Sequence, residues 1–215
     1  MEAKKISKSV LKRLPGYLAY LKNMPENAPV HISATALANA LGMGEVQVRK
    51  DLATVSDGGR PKIGYLRESL IEDIEQFLGY DNTTDAVLIG AGKLGQALMG
   101  YSGFEDYGLN ILAAFDANPK MEETEDGTPV YHVSKLTQFC KANKVLMGII
   151  TVPAQHAQGV ADQLIAGGIK AIWTFAPTHL DVPPGILVQY ENMATSLAVL
   201  SVHLQAQIKE EKEKK

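Results

Sequence analysis

The chain has 215 residues, 46% hydrophobic and 21% charged, a balance that suits one or two globular domains rather than a largely disordered chain. Its single cysteine, Cys140, excludes an intramolecular disulfide framework and a Cys-cluster zinc site. The net charge of −3 hides an asymmetry: residues 1–62 carry ten basic and five acidic side chains, an excess of +5 that leaves −8 for the remainder. A basic N-terminal part hints at contact with nucleic acid.

The lysine-rich start, Met1 to Val10, runs into Lys12, Arg13 and Pro15 rather than an apolar stretch, so it does not read as a signal peptide. No run approaches the ~18 consecutive apolar residues of a membrane span. With the lone thiol, these features suit a cytoplasmic protein. The segment Ile32 to Met43 has a helical apolar stripe, opened by Ser33 as N-cap and closed by Gly42. After a short turn, Glu45 to Val55 restarts a helix, with Val46, Leu52 and Val55 expected to pack inward while Gln47, Arg49 and Lys50 point elsewhere. Such a helix-turn-helix places its second helix in a major groove. Gln47 and Arg49 have the bidentate geometry for adenine and guanine edges, and Lys50 suits a phosphate. The stretch from Ser56 to Tyr65 is a glycine-rich basic hairpin tip, a wing whose Arg60 and Lys62 suit phosphates or a narrow minor groove. The alternative is a three-helix packing unit with a solvated charged face.

Asp81 to Thr84 form a polar break, taken as the boundary between a domain at 1–80 and another at 84–190. In the second, Ala86–Ile89, Ile111–Phe115, Val145–Val152, Ala171–Phe175 and Leu187–Tyr190 are predicted strands. Helical patterns fall between them at Leu94–Met99, Val133–Ala142 and Gln155–Ala166. This alternation predicts an α/β fold, a doubly wound parallel sheet of Rossmann type.

Gly90-Ala91-Gly92-Lys93-Leu94-Gly95 follows the first of these strands and opens a helix. In that context the first glycine permits the tight turn, the second admits a pyrophosphate, and the third lets helix and strand pack closely. An ordinary glycine-rich turn is the alternative. Asp116 ends the next strand about twenty residues further on, where a carboxylate accepts the ribose hydroxyls of NAD and repels a 2′-phosphate. A loop acid before Asn118-Pro119 is the other reading of Asp116. Thr151-Val152-Pro153 and Phe175-Ala176-Pro177 end later strands at the ligand-binding edge and are candidates to flank a nicotinamide, or are simply prolines ending strands.

Residues 191–213 read as one amphipathic helix. Leu197, Leu200, Ser201, Leu204 and Ile208 make a seam that needs a partner, either its own domain or a second chain. His132, His156, His179 and His203 are scattered, and no substrate domain follows residue 190. The chain is therefore read as no enzyme, the alternatives being an NAD-dependent dehydrogenase or a CoA-binding synthetase fragment. No metal is expected.

Taken together, Arg13-Leu14-Pro15-x-Tyr17, Leu37-Ala38-x-x-Leu41-Gly42, Gln47 to Leu52, the Gly90 turn, Asp116-Ala117-Asn118-Pro119, Thr151-Val152-Pro153 and Gly168 to Pro177 resemble the Rex family of redox-sensing transcriptional repressors. The resemblance runs nearly end to end. It implies a winged-helix domain, a Rossmann domain binding NADH or NAD+, and a homodimer that exchanges its C-terminal helices. It further implies a palindromic operator in double-stranded DNA, released when NADH closes the two Rossmann domains, with NAD+ competing without forcing release. Arg13, Tyr17 and Ser33 then join Gln47, Arg49, Lys50, Arg60 and Lys62 as DNA-facing residues, and Tyr101 matches a family tyrosine near the nicotinamide. Two stretches depart from the pattern. Ala53 to Gly59 replace an aromatic, glycine-rich segment, which leaves open a member that binds NADH but not the usual operator. Asn192 and Met193 stand where some members carry an acid and an aromatic, which puts an intersubunit charge contact to Arg13 in question.

Overall fold

The structure, a computed structural model, describes residues 7–80 and 83–213. The lysine-rich first six residues and Asp81-Asn82 of the polar break lie outside them. The chain divides into two compact units, Met1–Asn82 and Thr83–Lys215.

In the first unit, helix α1 (Lys8–Lys22) starts at Ser7, whose hydroxyl accepts the Val10 N–H at 3.3 Å. Leu14, Tyr17, Leu18 and Leu21 recur at helical spacing along it, and all are buried. Strand β1 (His31–Ile32) leads into α2 (Ala34–Leu41), where Ser33 is the N-cap, accepting from Ala36 N at 3.0 Å, and Gly42 ends the helix in the left-handed region. Helix α3 (Glu45–Val55) follows, then β2 (Tyr65–Leu66), antiparallel to β1, and α4 (Arg67–Leu78). Lys22 of α1 pairs with Glu75 of α4 at 2.6 Å.

One expectation for α3 is corrected. Val46 is 64% exposed, and the residue that packs inward is Val48, with Leu52 one turn on. At ~100° per residue Val46 lies far around the helix from Val48, so a face centred on Val48 and Leu52 turns it to solvent.

The second unit is a six-stranded sheet. Its strands are β3 (Thr84–Ile89), β4 (Leu109–Asp116), β5 (Val130–His132), β6 (Met147–Ile150), β7 (Ala171–Thr174) and β8 (Leu187–Tyr190). Every pairing is parallel and the order is β5-β4-β3-β6-β7-β8, so the chain winds outward from β3 in both directions. Counted from β3 this is the 3-2-1-4-5-6 order of a dinucleotide-binding Rossmann sheet. Side chains alternate across it: Val87 and Ile89 join Phe115, Ile150 and Leu164 in one core, while Ala86 and Leu88 join Met99, Ala114 and Ile149 in the other. The helices are α5 (Lys93–Met99), α6 (Leu136–Asn143), α7 (Ala154–Ala166) and the 21-residue α8 (Met193–Glu213). The seam of α8 is open: Leu197 and Leu200 are each 64% exposed, and Leu204 and Ile208 are exposed as well.

The sheet departs from expectation in three details. The three-residue edge strand β5 was too short to carry a period. The apolar run at 145–152 pairs only over Met147–Ile150. The helix expected from Val133 begins as a 3-10 turn, Val133–Lys135, before α6.

Gly64, at the base of the wing, has φ +91, and a Cβ built there lies 2.4 Å from the carbonyl oxygen of Ile32. Gly64→Ala is therefore expected to destabilise the first unit by about 1–3 kcal/mol, read as a lower urea midpoint by circular dichroism.

Candidate functional site

Two separate sites carry the residues singled out from the sequence. In the second unit, the turn after β3 lies at the carboxyl edge, between the ends of β4 and β6. Gly90 has φ +106, and a Cβ there would lie 2.9 Å from Thr151 Oγ1. At Gly95 a Cβ would sit 2.0 Å from the Gly90 carbonyl oxygen. Both glycines are demanded by packing. Gly92 is different: a Cβ there meets no protein atom within 4 Å, so it faces open space at the start of α5.

Hydrogen bonds brace the turn from both sides. The Thr151 hydroxyl donates to the carbonyls of Gly90 at 2.8 Å and Ile89 at 3.0 Å. Asp116 Oδ2 accepts from Ala91 N at 2.9 Å, and its Oδ1 from Asn118 N at 2.8 Å. The result is a cleft of about 480 Å³ whose walls include Gly90, Gly92, Asp116, Thr151, Val152 and Pro153. That volume is in the usual range of small-ligand sites. The donor set fits a dinucleotide: a glycine edge open to a pyrophosphate, and across the cleft a carboxylate with lone pairs left for ribose hydroxyls.

The cleft also uses Gln155, His156 and Gly159 of α7, which the sequence reading missed. They belong to a helix that the fold, not a motif, brings alongside. Lys93 is exposed and Leu94 half-buried at the start of α5. Four other expected neighbours stand apart from the cleft walls. Phe175 packs on Trp173 with ring centres 4.9 Å apart, Ala176 is buried, and exposed Pro177 follows at the end of β7. Tyr101 is half-exposed, packs edge-on to Phe104, and lines a different cleft with Met99 and Asp126.

In the first unit, α3 presents Gln47, Arg49 and Lys50 to solvent. Arg49 forms an exposed ion pair with Glu45, one turn back. Arg60 and Gly64 form the antiparallel bridge that closes the wing, and Lys62 at its tip is exposed with φ 67. A lysine in the left-handed region costs about 1–2 kcal/mol. Ser33 is exposed, its hydroxyl engaged as the α2 cap.

Beneath α3 lies a buried charge. Asp51 is 3% exposed; its Oδ2 accepts from Arg13 Nε at 2.7 Å and from the Tyr17 hydroxyl at 2.7 Å, and its Oδ1 from Arg13 Nη2 at 2.9 Å. Burial by itself would raise the carboxyl, but the hydrogen bonds from Arg13 and Tyr17 outweigh it and hold Asp51 below the usual carboxylate range. Burial, then the bond to Asp51, push the Tyr17 hydroxyl up to about 12. The expectation of a DNA-facing Tyr17 is thereby corrected: the ring is 1% exposed and its hydroxyl is committed to Asp51. Arg13 is only partly accessible, and its partner is an acid of its own chain.

Cys140 is fully buried, and burial pushes its thiol up to about 11. Among the described residues, no three His, Cys, Asp or Glu side chains are grouped to hold a metal ion, and no helix is long and apolar enough to cross a membrane.

A helix-turn-helix unit with a wing, followed by a Rossmann unit with an open glycine cleft, defines the class: a DNA-binding regulator governed by a nucleotide ligand. Residues 5–53 match the family described as putative DNA-binding protein N-terminus, and 81–178 match the CoA binding domain. The chain is 41% identical over 197 residues to the redox-sensing transcriptional repressor Rex of Porphyromonas gingivalis, covering 91% of this chain and 90% of that protein. It is 37% identical over 200 residues to Rex of Bacteroides fragilis, covering 93% and 91%. Among solved structures it is similar to RSP in complex with β-NAD+ and operator DNA, at 34% identity, TM-score 0.87 and 99% and 98% coverage. It is likewise similar to RSP with β-NADH, at 34% identity, TM-score 0.86 and 98% and 99% coverage. The chain belongs to the Rex family of redox-sensing transcriptional repressors.

The depressed Asp51 carboxyl stabilises the first unit above its unfolded value of about 3.9, and that contribution is lost as pH falls through the lower folded value. Asp51→Asn is expected to remove this acid dependence and to cost about 2–3 kcal/mol at neutral pH, discounted for the partial exposure of Arg13. Amide hydrogen exchange across α1 and α3 between pH 7 and pH 3 reads both effects.

Proposed function

We propose that this chain is an NADH-responsive repressor that binds palindromic operator DNA as a homodimer and leaves it when NADH is bound. The observation that carries this reading is the end-to-end likeness, at 34% identity, to RSP, one structure of which is in complex with β-NAD+ and operator DNA and another with β-NADH.

On the DNA side, α3 supplies Gln47, Arg49 and Lys50 to a major groove, and the wing supplies Arg60 and Lys62 to phosphates or a minor groove. Ser33 and Arg13 stand at the margins of that surface. On the ligand side, the Gly90 to Gly95 turn takes the pyrophosphate and Asp116 the ribose hydroxyls, favouring NAD(H) over its 2′-phosphorylated counterpart. Thr151 to Pro153 form the opposite wall, and Phe175 to Pro177 follow β7 on the nicotinamide side beyond it; Tyr101, in a different cleft, is not placed at the nicotinamide. The dinucleotide is a ligand here and not a reactant, so the output is DNA occupancy rather than turnover.

A dimer is supported by the open seam of α8, since an apolar stripe of that length on a monomer is a liability. Exchange of α8 between subunits covers it, and two α3 helices then meet half-sites about 34–36 Å apart. Release requires that NADH favour the DNA-free state by about 1–3 kcal/mol, an ordinary allosteric coupling. A compartment without disulfide chemistry, the cytoplasm, suits the single buried thiol.

The test is fluorescence anisotropy of the full chain on a labelled palindromic operator at one fixed salt concentration, with NADH, with NAD+ and with neither. The expected outcome is retention without ligand and with NAD+, and loss with NADH. Tight NADH binding with no DNA retained in any condition overturns the repressor reading and leaves a dinucleotide-binding relative with a changed wing. Asp116→Ala is expected to weaken NADH about tenfold, through loss of charged hydrogen bonds, and to narrow the preference over NADPH, both by calorimetry.

A further inference from the structure

Arg13 does more than neutralise Asp51. Its Nε and Nη2 face the carboxylate at 2.7 Å and 2.9 Å, and the remaining edge of the guanidinium faces the Gln47 side-chain amide on α3. With its oxygen turned toward Arg13, Gln47 accepts from Nη1 at 2.9 Å, while the single Nε proton stays with Asp51. The reverse orientation sets the amide NH₂ against guanidinium donors, which repel it, since arginine has no acceptor to offer.

The side chain of Gln47 is exposed, about 60° around α3 from exposed Lys50. Reading adenine with both ends of a glutamine needs its oxygen to accept from N6 while its nitrogen donates to N7. An oxygen held by Arg13 is not available for the first bond. What remains outward is an NH₂ group, a donor alone. Guanine is the base whose major-groove edge offers two acceptors and no donor, N7 and O6. Adenine offers that donor one acceptor, N7, with its own amino group beside it as a repelling donor.

We propose that Arg13 is a positioning residue that fixes the amide of Gln47, so that Gln47 favours a guanine edge over an adenine edge. This rests on the repressor reading above, and it replaces the adenine contact that glutamine geometry alone implies. Asp51 completes the arrangement by holding Arg13 in place from below.

The test uses the full chain without dinucleotide, on duplexes it selects from a randomised pool, each position then varied singly. The position read by Gln47 is the one whose discrimination vanishes in Gln47→Ala. There the wild type is expected to prefer guanine over adenine about tenfold. Arg13→Lys keeps a charge for Asp51 but lacks the further guanidinium nitrogen, Nη1, that reaches the amide. It is expected to retain DNA while the guanine preference at that one position falls or turns to adenine, other positions staying as they were. A purely structural role for Arg13 would weaken all duplexes alike and leave the profile unchanged, which overturns the proposal. An adenine preference in the wild type, or an even loss across all duplexes in Gln47→Ala as for a phosphate contact, overturns it too. If Arg13→Lys unfolds the first unit, Gln47→Glu decides, because its outward atom is an acceptor. Guanine preference is then lost if the proposal holds and kept if it is wrong. Wild-type protein that retains no duplex from the pool fails the repressor reading and this inference together, whereas retention with the wrong base preference fails this one alone.

Discussion

The buried carboxylate of Asp51 is the constraint on which the DNA-facing surface depends. A charge 3% exposed is tolerable only where donors replace its water, and here Arg13 and Tyr17, both on α1, supply three hydrogen bonds. Because Asp51 belongs to α3, those bonds fix the rotation of the helix as well as its position. A turn of even one residue, ~100°, would carry the carboxylate out of reach and leave an unpaired buried charge. Val48 and Leu52 anchor the same face by packing, so the outward direction of Gln47, Arg49 and Lys50 follows from what is held underneath. Hydrophobic contact alone tolerates sliding; the ion pair does not.

In the second unit, Asp116 does the opposite work with the same chemistry. Each of its oxygens accepts one backbone N–H, from Ala91 and Asn118, and it lies at the lip of a cleft rather than beneath a helix. Its lone pairs are therefore divided between bracing the glycine turn and facing a ligand. Gly95 sets the other limit, since the close approach of α5 to the Gly90 carbonyl leaves no room for a Cβ. The turn is thus shaped before any ligand arrives, which lowers the ordering cost of binding.

What was legible in the sequence is what depends on near neighbours. The Ser33 cap, the Gly42 stop and the glycine turn are set by residues within a few positions of one another, and each stands where local chemistry placed it. The doubly wound parallel sheet followed because parallel strands linked by helices have few ways to wind. What escaped was set by residues far apart. Arg13 and Asp51 are 38 positions apart, and nothing in either neighbourhood shows that they meet or that Tyr17 is drawn inward with them. The inward residue of α3 was misplaced because Val46 and Val48 are equally apolar, and only packing against α1 and α2 decides between them. The walls that α7 lends to the cleft were invisible for the same reason: Gln155 and His156 belong to no motif and gain meaning from where the helix lands.

The chemistry available to sense redox state is narrow. A thiol switch needs an accessible cysteine with appreciable thiolate, and Cys140 has neither, being fully buried with its ionisation pushed up to about 11. Oxidising it would require the α6 core to open first. A redox signal must then arrive as a difference in binding between two forms of one ligand, at a site that already distinguishes charge and shape. Such a signal is an equilibrium quantity: it follows the ratio of the two forms and reverses as that ratio reverses, whereas an oxidised sulfur must be chemically repaired. A cleft that binds its ligand through a glycine turn and a carboxylate, with no cysteine in its walls, suits repeated use of that kind.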